Sequence, residues 1–412
     1  MSDKKPLVAL AAGTVASVGG TRLSAIAIPW LVLTSTGDPV LTGVVGMAEL
    51  LPYVVAKAFG GPFIDRIGAR RISIWSDGLS AIAVASVPSL YWIDLLSVWL
   101  LLPAVALIGI LRAPSDAAKQ ALVPSVASMG KMPLERTTGI LGASDRLAGT
   151  LGAAGGGALI ALIGAAPALL TNAVAFLLAS LVVGLGIPRP TVADTAKPRT
   201  SATYLHDLAA GWSTLRNEPI LVTLVLMLAI TNLFDQAYAT VLLPVWVRSS
   251  GLSVTWVGIF LAAFSGAAVA GAAMAAAFAE RLPRMLVYTT GFLCAGPAPM
   301  AALALDPGLQ SILLVLLTGG FAAGFINPII AAILFERIPA VLVGRVIALV
   351  GALAWVLMPF GGLYAGLLVD TFGITLALGV TTLLYLIATL APLAIPSFRE
   401  MNRRSIEKGP ST

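Results

Sequence analysis

The chain of 412 residues has one cysteine, one histidine and few charges. Cys294 stands alone in an apolar run, which excludes disulfides and cysteine-based metal sites. His206 lies in a polar stretch and reads as a solvated side chain. No Gly-x-Ser-x-Gly, His-Glu-x-x-His or Walker loop occurs, so neither a polytopic membrane enzyme nor ATP-driven chemistry has its residues here. No cofactor and no metal are expected. Charged residues make up 11% of the chain, against about 25% in soluble proteins, which excludes an ordinary soluble fold.

What fills the chain is hydrocarbon: 58% of residues are hydrophobic and the mean hydropathy is +0.96. The apolar runs amount to about twelve segments of roughly 20 residues, each long enough to cross a bilayer as a helix. Continuous runs, with no period-two alternation, favour helices over a barrel. Spans are expected at 7–34, 40–63, 72–92, 95–117, 136–163 and 166–187, then at 219–247, 254–279, 285–305, 310–335, 345–369 and 373–395. With both termini inside, twenty of the 25 Lys and Arg fall on the inner side, four within spans, and only Arg248 outside. That bias explains the net charge of +6 without nucleic acid. Lys4-Lys5 precedes a segment that runs on, so no cleavable signal is expected.

Residues 188–218, with Pro188, Pro190 and Pro198 among basic residues, read as a cytoplasmic linker between two bundles, 1–187 and 219–396. Residues 397–412 form a basic tail whose Arg399, Arg403, Arg404 and Lys408 suit anionic head groups. The stretch Gly60 to Arg71 is a charged, glycine-bounded hinge after span 2. It has an echo at Ala279 to Arg284. Asp65 to Glu280, Arg66 to Arg281, Pro29 to Pro244 and Gly43 to Gly258 are all 215 residues apart, the mark of one half written twice.

Twelve spans in two repeated halves, a central basic loop, and Gly61-x-x-x-Asp65-Arg66-x-Gly68 followed by Arg70-Arg71 resemble the major facilitator superfamily. The run from Leu51-Pro52 to Ser76-Asp77, with Leu122-Val123-Pro124, resembles its macrolide- and siderophore-exporter branch of drug:proton antiporters. The resemblance implies an all-α membrane fold of two pseudo-symmetric six-helix bundles and alternating access. It also implies a latch in which Asp65 holds the start of span 11 near Arg345. Ala69 stands where the family has a basic residue, so Arg70 is expected to take that role and to pair with Asp116. Asp65→Asn is expected to fold and to turn over slowly.

Charges inside spans cost about 2.5–3.5 kcal/mol or more each, so they face the interior and find partners. In the first half they balance: Arg22, Lys57, Arg112 and Arg146 against Glu49, Asp77, Asp116 and Asp145. A rise of about 1.5 Å per residue puts Arg22 and Glu49 within about 5 Å in height. Lys57 and Asp77 share a depth near the inner face. Arg112 and Asp116 lie at i and i+4 on one helix face. Asp145 and Arg146 are adjacent and point about 100° apart. The second-half spans contain one charge, Asp235, within Thr231 to Gln236. It is a candidate proton carrier, a candidate receiver of a cationic substrate, or a partner of Arg22 across the midline.

Gly149, Gly152, Gly155, Gly156, Gly157 and Gly164 make span 5 a close-packing helix, similar to the family's antiporter signature but with Ala153 for its proline. Pro359-Phe360-Gly361-Gly362 holds the related place in span 11. Trp30, Phe234, Tyr238, Phe325, Asn327, Trp355 and Trp246 fall in the spans that line the family's cavity, and an apolar aromatic lining suits bulky lipophilic ligands. The expectation is a proton-coupled exporter of a bulky amphipathic small molecule, a monomer in the bacterial inner membrane, with a lipid flippase or facilitator of the same fold as the alternative. Its partners would be the small-molecule substrate, protons and membrane lipids.

Overall fold

The structure, a computed structural model, describes residues 4–188, 212–278, 283–338, 343–395 and 398. His206, Glu280, Arg281 and the basic tail lie outside the described residues, as do the side chains of Asp65 and Arg345. The expected latch between those two side chains therefore lies outside them too.

Every element among the described residues is helical. In the first half these are α1 (Lys5–Thr36), α2 (Pro39–Phe59), α3 (Gly61–Ile67), α4 (Ala69–Trp92), α5 (Val98–Met129), α6 (Leu134–Ile163) and α7 (Ala165–Gly186). The second half has α8 (Pro219–Ala237), α9 (Leu243–Ser249), α10 (Thr255–Phe278), α11 (Arg284–Ala295), α12 (Pro297–Leu305), α13 (Leu309–Arg337), α14 (Val343–Ala354) and α15 (Gly361–Leu390).

Among the described residues, ten segments are long and apolar enough to cross a bilayer. One of them, Leu349–Ala394, is 46 residues long and contains a non-helical Gly373 (φ 75°, ψ 167°) at which two helices meet. α4 is not among the ten: it carries Arg70, Arg71, Asp77 and a run of serines. With α4 included and the long segment divided at Gly373, the segments match the expected twelve.

Local chemistry sets the joints. Gly37 closes α1 in the left-handed region (φ 74°), and the Asp38 carboxylate caps α2 by accepting from the Val40 and Leu41 amides at 2.7 and 3.1 Å. Gly68, the second glycine of the hinge, joins α3 to α4 at φ 94°, which a side chain would strain. α8 passes through a π-helical turn, Tyr238–Leu242, into α9. α5 is the main departure from expectation. It continues past residue 117 to Met129, although Pro114 and Pro124 lie inside it.

Two compact units emerge. The first takes in Met1–Pro198 with Ala239–Ala262 and Gly362–Asp370. Within it α1 packs on α6 and α7, α5 on α2 and α4, and α4 on α7. Leu7, Leu10, Leu122, Val126, Val183 and Ile187 form one of its apolar clusters. Two glycine pairs let helices touch backbone to backbone: Gly43 of α2 against Gly362 of α15, and Gly157 of α6 against Gly258 of α10. Gly43 and Gly258 are themselves repeat mates, so the same kind of contact occurs twice. Beside them the Arg248 guanidinium donates to the Leu33 carbonyl at the end of α1, where the helix dipole favours a cation.

The second unit takes in Arg199–Tyr238, Ala263–Gly361 and Thr371–Thr412. Here α11 packs on α13, and α8 on α14 and the 3-10 turn Met358–Phe360. Tyr288 is fully buried, with Phe292 and Phe398 at centroid distances of 4.8 and 5.8 Å. Arg284 and Glu336 form a two-pronged pair, both bonds 2.6 Å, between the ends of α11 and α13.

Candidate functional site

In the first unit α2 and α5 share a charged cluster. Glu49 accepts from Arg112 at 2.7 Å, and the two side chains are 15% and 12% exposed. The approach is close because Gly109, on α5, lies against the Glu49 carbonyl, where any Cβ would collide. The guanidinium also rests over the Tyr53 ring, 4.4 Å from its centroid. Tyr53 in turn donates its hydroxyl to Asp116 at 3.0 Å. Lys57 lies 5.6 Å from the same ring and senses Asp116 electrostatically. Glu49, Arg112, Tyr53, Asp116 and Lys57 thus form one coupled group, in which protonating the glutamate would release the arginine.

Four expected pairings change. Glu49 is bonded to Arg112, not Arg22, because equal height does not put two side chains on facing sides of their helices. Arg22 is exposed and runs along α6 at Gly149 and Gly152. Arg112 reaches across to α2 rather than down its own helix, and Asp116 takes the Tyr53 hydroxyl. Asp77 is held by Lys119, not Lys57: the distances are 2.8 and 3.2 Å, with Ser115 donating at 2.6 Å and Ser17 accepting from Lys119 at 2.7 Å. Lys119 had been counted as a loop residue, and the extra length of α5 is what buries it. Arg70 donates to the Gly184 and Ile187 carbonyls, the second at 2.6 Å, at the end of α7, instead of serving Asp116.

In the second unit Asp235 stands exposed on α8, one turn before the π-helical segment. Its Oδ1 accepts from the Tyr385 hydroxyl at 3.1 Å, and among the described residues it has no ion-pair partner. Phe234, buried beside it, meets the Tyr385 ring at 5.6 Å. Asn232 donates to the Ala354 carbonyl at 3.0 Å and fixes this turn of α8 to α14. π-turns within helices often occur at functional sites.

The other expected residues are placed as follows. Asp145 and Arg146 are both exposed on α6. Gly61 and Arg66 are exposed in the hinge. Trp30 is half-buried in the first unit, where Trp246 is buried 6.2 Å from Phe260. In the second unit Phe325 is buried against Phe321, Asn327 is exposed, Trp355 is half-buried, and the buried Tyr238 hydroxyl has no hydrogen-bond partner among the described residues.

Sequence reasoning missed Tyr53, Lys119 and Tyr385. The first two had a signal: Arg112, Ser115, Asp116 and Lys119 recur at helical spacing, a polar stripe that argues for continuing α5 past Pro114. Tyr385 had none, being one aromatic in an apolar run.

A model of the family described as the Major Facilitator Superfamily matches residues 10–354 and 228–411. The multidrug efflux pump Tap of Mycobacterium tuberculosis is 29% identical over 411 residues, covering 97% of this chain and 96% of that one. Its counterpart in Mycolicibacterium fortuitum is 29% identical over 415 residues, covering 98% and 99%. Among solved structures, a mutant of the nucleoside transporter NupG superposes with a TM-score of 0.79 at 14% identity, covering 95% of this chain and 99% of that one. A bacterial homologue of the iron transporter ferroportin gives 0.69 at 17% identity, covering 98% and 100%. These likenesses show the fold.

Proposed function

The chain belongs to the Major Facilitator Superfamily, and from that premise we propose that this integral membrane protein exports bulky amphipathic small molecules, drugs among them, in exchange for protons. The full-length likeness to multidrug efflux pumps supports drug export. The observation that carries proton coupling is Asp235, a carboxylate inside a membrane helix, exposed on its surface and with no ion-pair partner among the described residues. A carboxylate placed there exists in two useful forms: charged, it attracts a lipophilic cation; protonated, it lets that cation go. Glu49 supplies the second proton site, since its protonation dissolves the bond to Arg112. In the second unit Phe234, Tyr238, Phe325 and Trp355 supply aromatic contact to the ligand and Asn327 an amide; Trp30 is a further aromatic candidate in the first unit.

The hinge residues Gly61, Asp65, Arg66, Gly68 and Arg70 serve alternating access rather than binding. The protein works as a monomer with both termini in the bacterial cytoplasm, in keeping with its basic residues being sorted to that side.

The test is ligand-triggered proton release in proteoliposomes under an imposed pH gradient, with lipophilic cations, macrolides and siderophores as probes. Wild type discharges the gradient with at least one probe, and Asp235→Asn or Glu49→Gln does not. Movement of labelled lipid or solute with no proton release would overturn antiport and favour a flippase or facilitator.

A further inference from the structure

Tyr385 is 1% exposed, yet its hydroxyl reaches an exposed carboxylate. The ring is held from three sides. Phe234 of α8 lies against one side and Tyr288 of α11 stands within electrostatic reach of the hydroxyl, as does Thr231 of α8. The third side is Gly296, the residue between α11 and α12, followed by the helix-starting Pro297. A Cβ on Gly296 would fall on ring atoms Cζ, Cε1 and Cε2 of Tyr385. Cζ carries the hydroxyl, so the missing side chain at 296 is what allows the oxygen its position. Among the described residues, the titratable group facing Asp235 is Tyr385, with Tyr288 of α11 behind it.

We propose that Tyr385, seated in the notch at Gly296, is a positioning residue for proton coupling at Asp235. Its hydroxyl occupies Oδ1 and leaves Oδ2 to a proton or a ligand cation. A donated hydrogen bond serves the charged carboxylate better than the neutral acid, so the same contact adjusts the pH at which the site exchanges its proton. The inference rests on the reading of Asp235 as a proton site.

The experiment measures the pH profile of ethidium efflux from proteoliposomes for wild type, Asp235→Asn, Tyr385→Phe, Gly296→Ala and the Tyr385→Phe/Gly296→Ala double variant. Tyr385→Phe removes only the hydroxyl and keeps the packed ring. It is expected to move the midpoint by about one pH unit, the worth of one hydrogen bond. Gly296→Ala is expected to move it in the same direction, and the double variant to match Tyr385→Phe alone, because both act through one oxygen. An unchanged midpoint in Tyr385→Phe, with Asp235→Asn uncoupled, would overturn the positioning role and leave the proton site standing. A further shift in the double variant would also overturn it. Normal coupling in Asp235→Asn would instead remove the proton-site reading itself.

Discussion

Lys119 holds both carboxylate oxygens of Asp77, at 2.8 and 3.2 Å, with the two side chains only 6% and 0% exposed. Ser17 and Ser115 complete the group, so α1, α4 and α5 meet at one charged point inside the first unit. Nothing there is open to a ligand. The pair reads as an internal tie, unlike the partly exposed Glu49–Arg112 pair and the exposed Asp235.

Removing one partner of such a pair leaves the other charged in a low dielectric. Lys119→Met is expected to cost about 3–5 kcal/mol of stability, while Lys119→Met combined with Asp77→Asn recovers most of it. Thermal unfolding in detergent, followed by tryptophan fluorescence, measures both. A double variant as unstable as the single would show that the tie matters for more than its charge.

Glu49→Gln keeps the shape of α2 but gives up a charge-assisted bond worth about 1.5–3 kcal/mol. Gradient-driven ethidium efflux should fall roughly tenfold or more. Exchange of labelled ethidium without a gradient should be affected less. Equal loss of both activities would assign Glu49 to binding instead of coupling.

Gly43 and Gly157 allow the two backbone contacts of the first unit, so a valine at either position forces its helix pair apart. Gly43→Val is expected to cost about 1–3 kcal/mol through overpacking against Gly362. Thermal unfolding in detergent, followed by tryptophan fluorescence, measures it, and an unchanged midpoint would mean that the glycine contact does not hold the unit together.

Arg70 meets the last carbonyls of α7, so Arg70→Ala is expected to cost about 1–2 kcal/mol through the lost helix-end bonds. Arg70→Lys keeps the charge and loses the fork, and should fall between the two. Hydrogen exchange at the end of α7 reports it directly.

Hydropathy alone was enough to place most helices, because twenty apolar residues in a row have one way to satisfy their backbone in lipid. α4 shows where that rule weakens: serines and charges lower its apolarity, yet the inward-facing side of a membrane helix can be polar. α5 shows the opposite error. Lys119 lies beyond the expected end of its span at residue 117, yet the helix runs on, because Asp77 supplies what water would otherwise supply. Asp235 was found from sequence because it is the only acidic residue in its half's expected spans, and that is a property of composition. Its partner was not, because Tyr385 is 150 residues away and nothing in an apolar run tells one tyrosine from another.

By itself, then, the sequence determined that the chain is a helical membrane protein and which side chains are costly in lipid. These follow from transfer free energies and a fixed rise per residue. Only the tertiary structure decided which partner each costly side chain has. Height along a helix follows from residue number, but facing direction depends on how neighbouring helices pack. In lipid that packing is set by small residues such as Gly109, Gly43 and Gly296, where a missing Cβ lets another helix come close.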